Sequence, residues 1–200
     1  PPVKPGAGRV SDPQMEAALR VIGRSGLESL THRAVAAEAG VSLGAVTHRH
    51  RRRDDLAAAA MAYAVSRETA RAEAFALRLQ SEAFDLPAWI AAVAAHYQRE
   101  LETNRDRHAA CCEALLAAAR DPRHRPAVEA WLAAWRRAPE LALRAAGVPA
   151  PDLRAAELVD AMVGAVLRQL AVPQADFGRA LQRMLAAMIG GWMQAGGGGR

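Results

Sequence analysis

Residues 30–56 read LTHRAVAAEAGVSLGAVTHRHRRRDDL, and their spacing sets the organisation of the first part of the chain. Two short helical patterns flank a glycine. Thr31 is placed to cap the first and Ser42 to cap the second, since a side-chain oxygen there accepts orphan N–H groups of a first turn. Ala36 and Ala37 are small where two helices must cross closely. Gly40 permits a left-handed backbone between them, and Val41 is expected to plug the turn from below. This is a helix-turn-helix arrangement, whose second helix offers its N-terminal residues to a DNA major groove. Two histidines and four arginines then fill residues 48–53. Asp54 and Asp55 follow, and carboxylates favour a helix start there through the helix dipole.

Upstream, SDPQMEAALRVIGRSG predicts a helix capped by Asp12, with Pro13 in its first turn and Gly26 as its stop. Met15, Leu19 and Ile22 recur on one face. Residues 1–10 are rich in proline and glycine and are expected to form a disordered tail, whose Lys4 and Arg9 could reach a minor groove. Downstream, the helix begun at Asp54 runs to about Gln80. Proline then punctuates the chain. Helices are predicted from Asp85 or Leu86 with Pro87 in the first turn, up to Asp121-Pro122, on to Gly147, up to Val172-Pro173, and finally into a flexible tail over 194–200. The reading is all-α with about nine helices: residues 11–55 as a three-helix DNA-binding domain and 56–193 as a larger helical domain. No strand or internal repeat is expected.

Bulk properties agree. The 200 residues suffice for a buried core, and aromatics make up only 4% of them, so helix is favoured almost throughout. The net charge of +5 leans mildly toward a polyanionic partner. Cys111 and Cys112 are adjacent, about 100° apart on a helix, so they form no ordinary structural disulfide with each other; with no third cysteine, a reducing compartment fits. The stretch PPVKPGAGR has no apolar segment of a signal peptide. The longest apolar run, Leu56 to Val65, is too short to span a bilayer. A soluble cytoplasmic protein is expected, with no membrane partner.

Residues 12–56 resemble the DNA-binding domain of TetR-family transcriptional regulators in Gly26, Leu27, Thr31, Val35, Ala36, Ala39, Gly40, Val41, Ser42, Gly44, Asp55 and Leu56. Thr47, Arg49 and His50 stand where that family usually has tyrosine, an aromatic or histidine, and phenylalanine. The resemblance implies that Thr31, with the amides of its helix start, holds one phosphate and that Arg53 holds another. It implies that His32, Arg33, Ser42, Leu43, Gly44, Ala45, Thr47 and His48 complete the DNA surface. Arg33 has the fork geometry for guanine, and Leu43 and Ala45 suit thymine methyls. His50 must find a partner or stay partly wet, because a buried unpaired polar group costs roughly 1–3 kcal/mol. Arg51 to Arg53 would cross to the next helix along the phosphates. Such contacts position a protein without specifying a site, so tight but strongly salt-dependent binding is expected.

In the larger domain Trp89, His96, Tyr97, Cys111, Cys112, Trp131 and Trp135 stand out against alanine. For any one of them, ordinary core packing outweighs the alternative; taken together, Trp89, His96, Tyr97, Cys111, Trp131 and Trp135 are the candidates for an effector pocket lined by aromatics. The last two helices carry apolar stripes: Val159, Met162, Val163, Val166 and Leu170, then Phe177, Leu181, Leu185 and Met188, with Met184 and Trp192 beside them. These serve intramolecular packing, and the family resemblance implies an intersubunit four-helix bundle as well. His48 and His50 are two apart and point to different faces, so no metal site is read from them, and no cofactor is called for.

No nucleophile and base are clustered, no Gly-rich phosphate loop appears and no metal spacing occurs, which argues against an enzyme. The leading reading is a homodimeric repressor that a small-molecule effector releases from a palindromic double-stranded DNA operator. The alternative is a helical interaction or ligand-binding module of the same fold with weakened or lost DNA binding.

Overall fold

In the first helix, α1 (Pro13–Ser25), Asp12 Oδ1 accepts from the amides of Gln14 and Met15 at 3.1 and 3.3 Å. The helix closes where the Gly26 amide donates to the Ile22 carbonyl, with Gly26 at φ +81°. This computed structural model describes residues 12–81 and 83–197; the tail expected over residues 1–10, with Lys4 and Arg9, lies outside them. Eight more helices follow: α2 (His32–Ala39), α3 (Leu43–Arg49), α4 (Arg53–Ser81), α5 (Leu86–Thr103), α6 (Arg105–Arg120), α7 (Arg125–Ala145), α8 (Pro151–Ala171) and α9 (Phe177–Gly197). No strand occurs among the described residues. Cap and proline signals fix most boundaries. One differs: α9 continues through 194–197, so only residues 198–200 of the expected C-terminal tail remain, outside the described residues.

One apolar core runs from Met15 and Leu19 through Leu56, Tyr97 and Trp131 to Leu185 and Ile189. The 29-residue α4 packs against α1 and runs on along the larger bundle, with Leu77 and Arg78 near its end exposed. It packs along α7, while α7 packs on α8 and α5 on α9. Helix α1 lies across α6 so closely that a methyl group on Gly23 would fall 1.8 Å from the Asp106 carbonyl oxygen. Around this crossing Arg24 pairs with Asp106 at 2.5 Å and with Glu38 at 2.9 Å, and Arg20 pairs with Glu38 at 2.6 Å. These pairs are partly solvated and add little on their own. They mark the register of α1 on α2 and α6.

Candidate nucleic-acid interface and effector cavity

Helix α2 ends at Gly40, which takes the left-handed conformation at φ +66° and ψ +32°. The Val41 amide then reaches the Ala36 carbonyl at 3.0 Å and the Gly40 amide reaches that of Ala37 at 3.3 Å, the paired bonds of a Schellman stop. Ser42 Oγ accepts from the Ala45 amide at 3.2 Å and opens α3; Thr31 Oγ1 does the same for α2 through Ala34, at 3.1 Å. Val41, expected as a plug, is 36% exposed. Val46, on the inner side of α3, is the residue that is fully buried here.

Leu43, Gly44, Ala45 and His48 are exposed along the outer side of α3. Arg33, Arg51 and Arg52 are exposed beside it, and their guanidinium groups meet no side-chain or backbone partner among the described residues. The other basic groups are committed internally. Arg49 pairs with Asp12 Oδ2 at 2.7 Å, tying the end of α3 to the start of α1. Arg53 turns inward: Nε donates to the Leu30 carbonyl at 3.0 Å, and Nη2 to the Leu27 carbonyl at 2.8 Å and to Glu28 at 3.1 Å. It braces the connection between α1 and α2. Thr47 Oγ1 donates back to the Leu43 carbonyl at 3.0 Å. His32 Nε2 donates to the His50 carbonyl at 2.6 Å and so latches the end of α3 to α2.

His50 itself is half-buried, and its Nε2 has no hydrogen-bond partner although it is closed off from solvent. Burial lowers its pKa from the ordinary value, and the charge of Arg49 lowers it further. His48 and His50 therefore diverge, one exposed and one inward.

In the larger bundle a cavity of about 30 Å³ lies among α4, α5, α6, α7 and α8. Of the residues expected to line a pocket, Cys111, Trp131 and Trp135 do so. Trp131 and Trp135 stack with centroids 5.1 Å apart, and Trp135 Nε1 donates to the Tyr97 hydroxyl at 2.5 Å. Tyr97 thus stands behind the wall as its support. His96 packs edge-on against Tyr97, its Nε2 buried without a partner, and burial lowers its pKa. Trp89 lies elsewhere, in a cluster with Phe75 and Phe84. Burial pushes the Cys111 thiol up to about 12, so it is an inert packing group.

The charged wall of this cavity was not read from the sequence. Glu68 and Arg71, 2.8 Å apart on α4, face it together with Arg67, Glu100, Arg107 and His108. Arg107 pairs with Glu100 at 3.0 Å, and Glu100 is held down to about 2, first by His108 and then by Arg107, against the opposing effect of burial. Arg67 and the Tyr63 hydroxyl both donate to Glu16 on α1. The network therefore reaches from the cavity to the first helix of the DNA-binding part. A signal did exist: Glu68 and Arg71 fall in step with buried Ala60, Ala64, Ala72 and Phe75, and a charged pair in an apolar stripe needs a reason.

The stripes of α8 and α9 face inward. Val159, Met162, Val166, Leu170, Phe177, Leu181 and Leu185 are buried within their own chain, Val163 and Met188 are half-buried, and Val163 and Val166 line the cavity. The opposite faces are open. Gly164 and Leu167 on α8, and Ala186, Ala187 and Gly191 on α9, are exposed.

A family model described as bacterial regulatory proteins, tetR family, matches residues 15–60. One described as tetracyclin repressor-like, C-terminal domain, matches residues 85–191. Solved structures are similar across most of the chain. A member of the TetR family from Streptomyces coelicolor A3 is 30% identical over 88% of this chain and 96% of its own, with a TM-score of 0.65. A transcriptional regulator from Rhodococcus sp. Rha1 is 26% identical over 92% of this chain and 97% of its own, with a TM-score of 0.68. The multidrug binding protein EbrR, complexed with proflavin, is 28% identical over 88% and 98%, with a TM-score of 0.54. No curated protein matches the chain.

Proposed function

Because the chain belongs to the TetR family of bacterial regulatory proteins, we propose that it is a homodimeric regulator that a small molecule releases from a palindromic operator. The observation that carries this reading is the bare outer face of α3, flanked by three arginines that the fold leaves unpaired. Leu43 and Ala45 would meet thymine methyls, Gly44 would let the backbone approach, and Arg33 would take a guanine. Thr31, Ser42, Thr47 and His48 would border this surface, and the amides at the start of α2 would take a phosphate. The inward turn of Arg53, and the latch made by His32, pass the remaining phosphate contacts to Arg51 and Arg52.

The cavity beside Trp131 and Trp135 is the effector site in this reading. Support comes from EbrR, which has been solved with proflavin and with ethidium. Ligand entry would displace α6, which both lines the cavity and carries α1 at the Gly23–Asp106 crossing. A ligand that prefers the displaced form shifts the population toward dimers whose recognition helices no longer match successive grooves.

Operator binding by variants tests the assignment. Arg33→Ala should cost about 1–3 kcal/mol and relax the base preference at one position, while Arg51→Ala and Arg52→Ala should weaken all sequences alike and flatten the salt dependence. If none of the three changes affinity, the surface is assigned wrongly. If genomic selection enriches no palindrome, the chain is a ligand-binding module without an operator.

A further inference from the structure

The effector cavity is lined, as it stands, by a cation of the protein's own. Arg71 Nη1 lies 2.8 Å from Glu68 Oε2 in a wall that also holds the stacked indoles of Trp131 and Trp135, Cys111, and the charged groups of Arg67, Glu100 and Arg107. The space left over, about 30 Å³, holds a water or so and no drug-sized molecule, which needs roughly 300 Å³ or more. Something must leave for a ligand to enter.

The surroundings decide which group leaves. Trp135 is fixed by its stack on Trp131 and its bond to Tyr97. Arg107 is 17% exposed and is held by Glu100, with Glu16 close by. Arg67 is tied to Glu16 on another helix. Among the described residues Arg71 pairs only with Glu68, three residues away on its own helix, and its side chain is already 36% exposed, so a rotation about its flexible stem carries the guanidinium into water. Glu68 cannot follow, since its side chain is only 18% exposed. A neutral or anionic ligand in place of Arg71 would strip this buried carboxylate of its one hydrogen-bonded cation, because Arg67 and Arg107, which also face it, are paired with Glu16 and Glu100. A cation restores the pair, and a planar one also stacks on the indole faces, where cation–π attraction adds to the burial of area.

We propose that this cavity takes a planar aromatic cation, that Glu68 is its counter-charge, and that Arg71 is a built-in substitute which the effector displaces. The inference rests on the effector-site reading above and adds the ligand class and the competitor. Burial raises the pKa of Glu68, opposed by the positive charge around it, first that of Arg71 and then that of His108, Arg67 and Arg107, so the anion depends on neighbouring cations.

The test uses the full chain and two dyes, acridine orange as planar cation and anilinonaphthalene sulfonate as aromatic anion, with tryptophan quenching as the readout. Wild type should bind the cation, with the anion at least roughly tenfold weaker, a gap of about 1.4 kcal/mol. Glu68→Gln should weaken the cation roughly tenfold or more, and Arg71→Met, which keeps the stem and removes the competing charge, should tighten it by a similar factor. Thermal melts of both variants confirm that they fold. An unchanged cation affinity in Glu68→Gln, weaker binding in Arg71→Met, equal binding of the two dyes, or no binding of either overturns the proposal. Genomic selection by the unliganded protein reads the regulator separately. A chain that binds the cation through Glu68 but enriches no palindrome keeps the cation site and loses the regulator. A chain that enriches a palindrome but binds both dyes equally loses the cation site alone.

Discussion

His50 occupies the position where the sequence places a core residue, and the fold gives its ring no partner: Nε2 is buried and unbonded, while its backbone carbonyl receives His32. Replacing it with an apolar ring, His50→Phe, should stabilise the protein by about 1–3 kcal/mol, measured by urea denaturation at pH 7. An unchanged or lower midpoint would show that the ring is solvated after all. Its titration gives a second handle. Burial lowers the pKa of His50 and of His96 from the ordinary 6.5. Between the lowered values and 6.5 the unfolded chain binds protons that the folded chain refuses, so stability rises with pH through that window and levels off above it. Melting midpoints should fall as pH drops below about 6.5, and His50→Phe should remove part of that slope. The inward position of His50 was legible because the family resemblance puts a phenylalanine there. The direction of Arg53 was not. Three arginines in a row look alike in sequence, and the Leu27 and Leu30 carbonyls that capture one of them come near only after α1, α2 and α4 have packed.

Among elements, the contact of α1 with α6 offers the sharpest test because two effects of opposite sign compete there. Gly23 sits inside α1, where exchange for alanine normally stabilises a helix by roughly 1 kcal/mol. Here the added methyl would lie 1.8 Å from the Asp106 oxygen and 2.6 Å from its carbonyl carbon, so the helices must separate. Gly23→Ala should therefore destabilise by at least the ~1–3 kcal/mol of overpacking. A rise in the urea midpoint would mean that the crossing is looser than described. Helices themselves were readable from local marks: Asp12, Thr31, Ser42 and Asp85 all cap as their residue types suggest. Their partners were less so. Periodicity shows that Val159, Met162, Val166 and Leu170 share a face, but a stripe carries no label for what covers it, and here the chain's own α7 and its cavity lie beneath. The C-terminal end of α9 shows a related limit. Glycine lowers helix propensity without forbidding helix, and α9 continues to Gly197.

At the scale of the molecule, the exposed faces of α8 and α9 are where the second copy in the proposed dimer would sit. Leu167 is 49% exposed, and at Gly164, Gly190 and Gly191 no other part of the described chain lies within 4 Å of where a Cβ would point. Small residues there let helices approach closely, and a two-fold axis through this face would pair two recognition helices for a palindrome. Leu167→Glu should shift sedimentation from dimer to monomer and weaken operator binding, leaving the monomer folded. A variant that still sediments as the wild type does would place the dimer elsewhere. The continuity of the core across both parts adds a consequence for anyone who would rebuild this protein. Since the backbone of α6 touches α1 with no gap at Gly23, the DNA-reading helices are no cassette to be cut out and plugged into another body. A chimera with a new operator specificity should exchange the outer residues of α3 and keep the native α1 and α6 together, because a graft cut at the end of α3 would set α1 against a surface never shaped to receive it.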